Sequence, residues 1–600
     1  MLNVKLRSEI DAQYKWNAES VFETRAAWKQ AYEQVSAELP AAMTRFQGHL
    51  GDSAAALADW FDALDDMYHR AGHILFYGLM SQAVETTDQE ANAMAGQASG
   101  LMGKFQAAAS FAEPELLALG QDKLNEWIKA EPRLSHYTHY VDDLFRRQQH
   151  VRSAEVEEIL GLVQDTFSQI DNTAEQLTNA EIIFRPAKNS QGEEIAISQG
   201  NFEAMRQDAD RELRRTAWES YADGYLAFKS TLASNYTASA KRDIFLARSR
   251  RFNTAVEASL FENNIPVEVF QNLIDTFRKN IPTWHRYWEI RRKALGVEKL
   301  YPYDIWAPIA KQEHPVSYAQ AIDWISEGMK PLGADYVRAL RQGTLQDRWI
   351  DVYPNQGKRQ GAFSFGWRGT FPFILTSYHD ELESMSTVAH ELGHSMHSYL
   401  TWQNQPFVYS DYSLFVAEVA SNFNQAMVRG YLKDAQPDAD FQIALIEEAM
   451  NNFHRYFFIM PTLARFELEI HTRIENGDGV TADDMIALMV DLFAEGYGDA
   501  MSYNREQSGI TWAQFGHLYS NYYVFQYATG ISAAHALAAP ILAGTPGAAD
   551  NYLKFLKTGS SLYPLDALKV AGVDMATPAA VEATFKVLGD MVDRLEKLVG

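Results

Sequence analysis

Ser386-Thr-Val-Ala-His-Glu-Leu-Gly-His-Ser-Met-His397 decides how this chain is read. It contains H-E-x-x-H as His390-Glu391-Leu392-Gly393-His394. On an α-helix, residues four apart lie about 40° apart around the axis and one turn along it. Both imidazoles then reach a single metal ion. Glu391 points about 100° from His390, close enough to touch a water on that ion. The spacing therefore supplies two zinc ligands and a general base. The flanks predict a helix, because Leu382, Met385, Val388, Ala389, Leu392, Met396, Tyr399 and Leu400 recur at helical spacing. That stripe buries one side and leaves the two histidines on the other. With 16 histidines in 600 residues, the motif arises by chance in only about a few of every hundred such chains.

A zinc hydrolase needs a third protein ligand and an open fourth position for water. Glu418, in Phe415-Val-Ala-Glu-Val-Ala-Ser-Asn-Phe-Asn-Gln425, is the candidate. An acid inside an apolar helix is out of place unless paired or metal-bound. A turn-like stretch from Thr401 to Ser413, with Pro406, separates it from the histidine helix, so two antiparallel helices can face one ion. His397 is the rival ligand. It lies about 10 Å along the axis from His390, so it reads instead as a packed, hydrogen-bonded histidine.

These residues resemble the M3 family of zinc metallopeptidases, and more closely its oligoendopeptidase F branch. Other segments agree. Tyr303-Asp-Ile-Trp-Ala-Pro308 resembles the family's Tyr-Asp-x-x-x-Pro box. Gly361-Ala-Phe-Ser364 and Phe371-Pro-Phe-Ile-Leu375 resemble its strand region before the zinc helix, and Arg465-Phe-Glu-Leu-Glu-Ile-His471 its Phe-Glu helix. His517 through Gly530 resembles its distal active-site box. The similarity is strong from about Asn201 to Leu588 and weaker before that, where Tyr14-Lys-Trp-Asn17 resembles the usual opening. One position departs. Seven residues after Glu418 the family usually carries a glutamate, and here stands Gln425. Its amide oxygen can still accept a hydrogen bond from a ligand histidine, but without charge.

The resemblance implies a mainly α fold: a two-lobed helical clamshell with a deep channel and a small β-sheet near the zinc helix. It implies one Zn2+ ion on His390, His394 and Glu418, with Glu391 as general base. An oxyanion donor is also needed. His517, Tyr519, Tyr522, Tyr523 and Tyr527 form the candidate group, with His517 and one of Tyr522, Tyr523 and Tyr527 as donors. An edge strand at Gly361, Ala362 and Phe363 could pair with an extended peptide backbone. Loops at Glu495-Gly-Tyr-Gly-Asp499 and Gln507-Ser-Gly509 could act as hinges or covers. The expected activity is endopeptidase cleavage of short unfolded oligopeptides. A related gluzincin carboxydipeptidase, another zinc amidohydrolase and a non-catalytic zinc-containing peptide binder are the alternatives. Glu391 weighs against the last, since a structural site needs no base.

Composition narrows the remainder. No cysteine excludes disulfides and thiolate metal sites and fits a reducing compartment. Met1 to Ile10 lacks the apolar core of a signal peptide. Ala528 to Gly544 contains His535 and Pro540 and reads as a buried helix rather than a membrane span. The expected location is cytoplasmic, as monomer or homodimer, with no membrane partner. A net charge of −25 argues against nucleic acid. Lys241-Arg242 and Arg248-Ser-Arg250-Arg251 are too short and interleaved to change that. Helical periodicity dominates. Residues 1–200 are expected as an N-terminal helical region ending in a hairpin, with strands at Ile182-Ile-Phe184 and Ile195-Ala-Ile197, and residues 201–600 as the catalytic region.

Overall fold

A computed structural model describes residues 4–600; Met1 to Asn3, which open the stretch read for a signal peptide, lie outside the described residues. The protein is mainly α, with two small sheets. Among the described residues no helix is long and apolar enough to cross a membrane. Many helices begin where the sequence offers a capping oxygen. Thr24, Ser53, Asp88 and Asp438 each accept a hydrogen bond from a backbone N–H of the first turn that follows. The chain packs as two compact units, each assembled from three separate segments. One comprises residues 1–149, 315–431 and 540–572; the other comprises 150–314, 432–539 and 573–600. Each draws on both sides of residue 200.

In the first unit, helices Arg25–Thr44, Ala54–Val84 and Gln89–Ala109 share a core that includes Trp28, Trp60, Phe61 and Leu101. The buried Trp28 indole donates to the Ile74 carbonyl at 2.8 Å, so its one polar atom is satisfied. The second unit contains a hairpin of β1 (Ala187–Lys188) and β2 (Glu194–Ile195), antiparallel. Its strands lie inside the span expected from sequence. Ile182 and Phe184 are not paired; Phe184 stacks on Tyr221 at 4.7 Å, in a site left open by Gly224. Burial of that ring against helix Arg211–Leu226 outcompetes a strand there.

The first unit holds the other sheet: β3 (Ile350–Asp351), β4 (Phe363–Phe365) and β5 (Phe373–Leu375). β5 is central, parallel to β3 and antiparallel to β4, which is an edge strand. Phe373 and Leu375 point into a cluster with Trp16, Phe76 and Met80. Asp351 is buried and carries two cations, Arg7 and Lys358, each at 2.7 Å. Burial alone would raise its pKa, but Lys358 and Arg7 hold it below the usual carboxylate range. This buried pairing ties the N-terminal segment to the sheet.

The predicted histidine helix spans Leu382–Asn404, and the helix carrying Glu418 spans Leu414–Ala435. Ser395 fastens the first to the sheet: its hydroxyl donates to the Pro372 carbonyl at 3.1 Å and shares a 2.8 Å hydrogen bond with Ser364 of β4. The two helices cross at Gly393. A β-carbon there would lie 2.3 Å from the Ala420 carbonyl oxygen, well inside contact distance. Glycine lets the backbones meet.

In the second unit, helix Val267–Ala294 packs on Ala579–Val599. The Tyr-Asp box is an ion-pair anchor. Asp304, fully buried, accepts from Arg211 at 2.8 and 2.9 Å and from Arg214 at 3.3 Å. The segments expected as hinge loops are largely helical. Glu495 to Tyr497 close helix Ala482–Tyr497, and Arg505–Gly509 is a short helix. Gly509 packs so tightly that a β-carbon would meet the Ile486 carbonyl oxygen at 2.4 Å, which leaves no room for a cover to pivot there.

Gly393→Ala is expected to destabilise the protein by about 1–3 kcal/mol. Its melting midpoint and its bound metal content should fall together. Gly589→Ala, in an open helical position with nothing within 4 Å, should leave the midpoint unchanged or raise it. Equal midpoints for Gly393→Ala and wild type would refute the close-crossing account.

Candidate metal centre

The helix crossing brings three ligand atoms together. Nε2 of His390 lies 3.3 Å from Glu418 Oε2, and Nε2 of His394 lies 3.9 Å from the same oxygen. All three residues offer atoms within 4.8 Å of one another, and they are partly buried. Two imidazoles and one carboxylate suit zinc, whose tetrahedral ligands at about 2.1 Å stand about 3.3 Å apart. The donor set therefore fits the ion.

Each ligand is held from behind. His390 Nδ1 donates to Gln425 Oε1 at 3.1 Å, and Gln425 Nε2 donates in turn to Ser386 Oγ at 2.8 Å. The His394 ring makes a hydrogen bond to the Ala417 backbone. The contact to Gln425 fixes the His390 tautomer that leaves Nε2 for a metal. Ser421 Oγ donates to Glu418 Oε2 at 3.0 Å. Asn424 Nδ2 reaches the Ala389 carbonyl at 3.2 Å and bolts the helices together. Sequence reading singled out Gln425 but not Ser386, Ser421 or Asn424. Their signal was polar residues on the apolar face of a helix.

Charge is distributed unevenly. Burial works to raise the Glu418 pKa, but the hydrogen bond and charge of His390 hold it down to about 2. Burial works to lower His390, and the Glu418 carboxylate outweighs it and lifts it to about 9. At His394 burial wins and brings it to about 4. Glu418 is thus ionised and His394 neutral, the forms that bind metal, while a proton on His390 is the competitor a metal displaces. Glu391 is 6% exposed, and burial lifts it to about 7. One of its oxygens meets the Ser364 backbone N–H of β4, and Oε2 has no partner among the described residues. A buried carboxyl with one idle oxygen and a pKa near neutrality is equipped to take up and release a proton.

His397 is not part of this cluster. It is buried and stacked on Tyr412 at 3.8 Å, as expected of a packed histidine, but neither ring nitrogen has a hydrogen-bond partner among the described residues. The expectation of a hydrogen-bonded ring is corrected: the aromatic faces of Tyr412 and Phe555 surround it. Burial drives its pKa down to about 3, so it stays neutral. Gly361, at φ 85°, and Ala362 lead into β4, which begins at Phe363. A groove of about 680 Å³ runs beside this strand, between Arg359, Phe363 and Phe365 on one side and Met80 and Ala83 on the other.

The second unit contains the other predicted group, and it divides. His517 stacks on Tyr523 at 6.0 Å and meets Tyr527 edge-on at 5.7 Å. The Tyr523 and Tyr527 hydroxyls share a 2.8 Å hydrogen bond. Tyr456, which sequence reading missed, stacks on Tyr527 at 5.2 Å. His517 Nδ1 has no partner among the described residues, and burial, then the charge of Arg455, lowers the pKa of the ring. Tyr522 and Tyr519 stand apart. Tyr519 receives a hydrogen bond from Asn235 at 3.3 Å and packs on Tyr236. Tyr522 is 1% exposed and has φ 49°. Its ring packs on His471 and Phe270, and its N–H donates to Glu467 Oε1 at 2.7 Å. The left-handed turn at Tyr522 sends its ring into the core, away from Tyr523.

A mainly helical protein with a His-His-Glu cluster and a buried glutamate beside it has the construction of a gluzincin-type metallopeptidase. Peptidase family M3 matches residues 204–587, and the oligopeptidase F N-terminal region matches residues 115–184. The chain belongs to family M3, in its oligoendopeptidase F branch, and is a metalloendopeptidase. It is 36% identical to oligopeptidase PepF of Bacillus subtilis, over 99% of this chain and 88% of that one. It is 34% identical to group B oligopeptidase PepB of Streptococcus agalactiae, over 99% and 98%. Its fold is similar to that of oligoendopeptidase-F from Enterococcus faecium, with TM-score 0.75 and 30% identity over 95% of this chain and 98% of that one. A solved chain from Chlamydophila abortus superposes with TM-score 0.89, 30% identical over 99% and 100%.

Gln425→Leu should weaken metal affinity about 10–100-fold, measured by competition with a chelator of known affinity, and Gln425→Glu should match or exceed wild type. Unchanged affinity in the leucine variant would remove Gln425 from the site. A second expectation concerns Glu467, which burial pushes up to about 8. The native state then holds a proton that the unfolded chain releases near pH 4.5. This contribution to stability is complete below about pH 4.5 and is lost as pH rises through about 8. The raised pKa of His471 acts in the same direction, burial opposing it and Asp243 raising it. Glu467→Gln should flatten the fall in melting midpoint between about pH 5 and 8. A slope equal to wild type would contradict it.

Proposed function

We propose that this enzyme is a zinc-dependent endopeptidase that hydrolyses internal peptide bonds of short, unfolded oligopeptides. One observation carries the reading: Glu391, buried and with Oε2 unpartnered, adjoins His390, His394 and Glu418, whose donor atoms converge. Zinc bound by these three would supply Lewis acidity toward the scissile carbonyl and make water easier to deprotonate. Glu391 takes up the proton at its free oxygen and returns it to the leaving amine. Its pKa near 7 suits both transfers. Gln425 keeps the His390 ring in register. The backbone of Gly361, Ala362 and Phe363 is assigned to the substrate main chain, since edge-strand pairing ignores side-chain identity. Donation to the developing oxyanion is assigned to His517 with Tyr523 or Tyr527. Tyr522 drops out of that role because its ring is buried with His471. Relatives named oligopeptidase support short peptides as the substrate class. A cysteine-free chain suits a reducing compartment, and the cytoplasm is the proposed location.

Glu391→Gln should retain zinc at wild-type stoichiometry and lose about 10²–10⁴-fold in kcat. A zinc-loaded variant that cleaves at the wild-type rate would sink the mechanism. Mass-spectrometric mapping on a panel of peptides should show internal cuts. Stepwise release of C-terminal dipeptides would assign the site to a carboxydipeptidase instead.

A further inference from the structure

Helix Ala439–His454 runs without a break into a π-helical turn, Arg455–Ile459, and on through helix Met460–Glu475. Such turns are rare and re-aim side chains, commonly at working sites. Here the turn serves two surroundings within one unit. Tyr456 stacks on Tyr527. His454, Arg455 and Ile459 line a cavity of about 220 Å³. That is below the roughly 300–1,000 Å³ of sites for drug-sized ligands, so a single amino-acid residue is the matching scale.

The cavity has aromatic walls and idle donors. The Arg206 guanidinium lies 4.4 Å over the Trp306 ring and 5.9 Å from that of Phe202. One of its nitrogens pairs with Glu203, but Nε has no hydrogen-bond partner among the described residues. His454 Nδ1 and Ser508 Oγ, on residues 5% exposed, have none either. Buried polar atoms are nearly always satisfied, so three idle ones on residues that line one small cavity call for a ligand. All three can donate. Arg206 Nε always carries hydrogen, and Ser508 turns its hydroxyl freely. Burial keeps His454 neutral, at about 3. The Tyr497 hydroxyl, 3.4 Å from Nε2, can donate there and leave the proton on Nδ1. Arg206 and Arg455 against Glu203 leave the lining positive.

We propose that this cavity binds the carboxylate of a bulky apolar or aromatic residue. Arg206, His454 and Ser508 donate to the carboxylate, and the aromatic walls take the side chain. Two sources share this chemistry: a free amino acid and the C-terminal residue of a peptide. Only the second rests on the peptidase reading above.

The test is calorimetric titration of the zinc-loaded full-length protein with N-acetyl-L-phenylalanine, its amide and free L-phenylalanine. The acid should bind at least about tenfold more tightly than the amide. Arg206→Met should weaken the acid about tenfold or more and Ser508→Ala several-fold, with circular dichroism unchanged. Tighter binding of the N-acetyl acid than of free phenylalanine identifies a peptide terminus, and the reverse identifies a free amino acid. No binding, equal binding of acid and amide, or full affinity in both variants overturns the proposal. The last would place the acid elsewhere, for instance on the metal. Because nothing is turned over, wild-type peptide cleavage by Glu391→Gln, the outcome that would sink the mechanism above, leaves this result standing, and the two readings fail separately.

Discussion

The backbone contact between Gly393 and Ala420 is the constraint on which the metal centre depends. Two histidines on a helix fix only one side of an ion. The third ligand comes from another helix, and its reach depends on how closely the two axes approach. A β-carbon at position 393 would overlap the Ala420 carbonyl. Without it, Glu418 Oε2 arrives 3.3 Å from His390 Nε2. The same crossing places Gln425 behind His390 and Asn424 against Ala389. One missing methyl group therefore sets the spacing of the candidate ligands and the hydrogen bonds that orient them.

The site also shows how burial and partnership divide similar groups. Glu391 and Glu418 are both carboxyls in poorly solvated surroundings. Glu418 has His390, His394 and Ser421 around it and stays ionised. Glu391 has one backbone N–H, and burial outweighs the charge of His390, so its proton affinity rises. One is suited to bind a metal and the other to carry a proton. The Gln425 amide keeps the geometric role a carboxylate would play without adding a third negative charge beside His390.

Much of this was legible in the chain. Helical spacing placed the histidine helix, and an acid in an apolar stripe marked Glu418. Local patterns failed where one residue of register matters. Ile182 and Phe184 look like strand residues, but Phe184 finds a better surface on Tyr221. Tyr522 and Tyr523 are indistinguishable as neighbours in sequence. A left-handed backbone at Tyr522, capped by Glu467, turns one into the core and the other toward His517. His397 follows the motif closely enough to look like a ligand, and only its stacking on Tyr412 shows its place.

The sequence by itself determined the helical class, the His-Glu-His spacing, the candidate third ligand and the irregular Gln425. These follow from periodicity and from residue chemistry that acts over one or two turns. Tertiary structure alone decided which tyrosines accompany His517 and that Arg206, His454 and Ser508 line one cavity. Those residues lie up to some three hundred positions apart in the chain. No local rule encodes their meeting, because it depends on the packing of whole helices and on a π-turn whose hydrogen bonds the sequence does not announce.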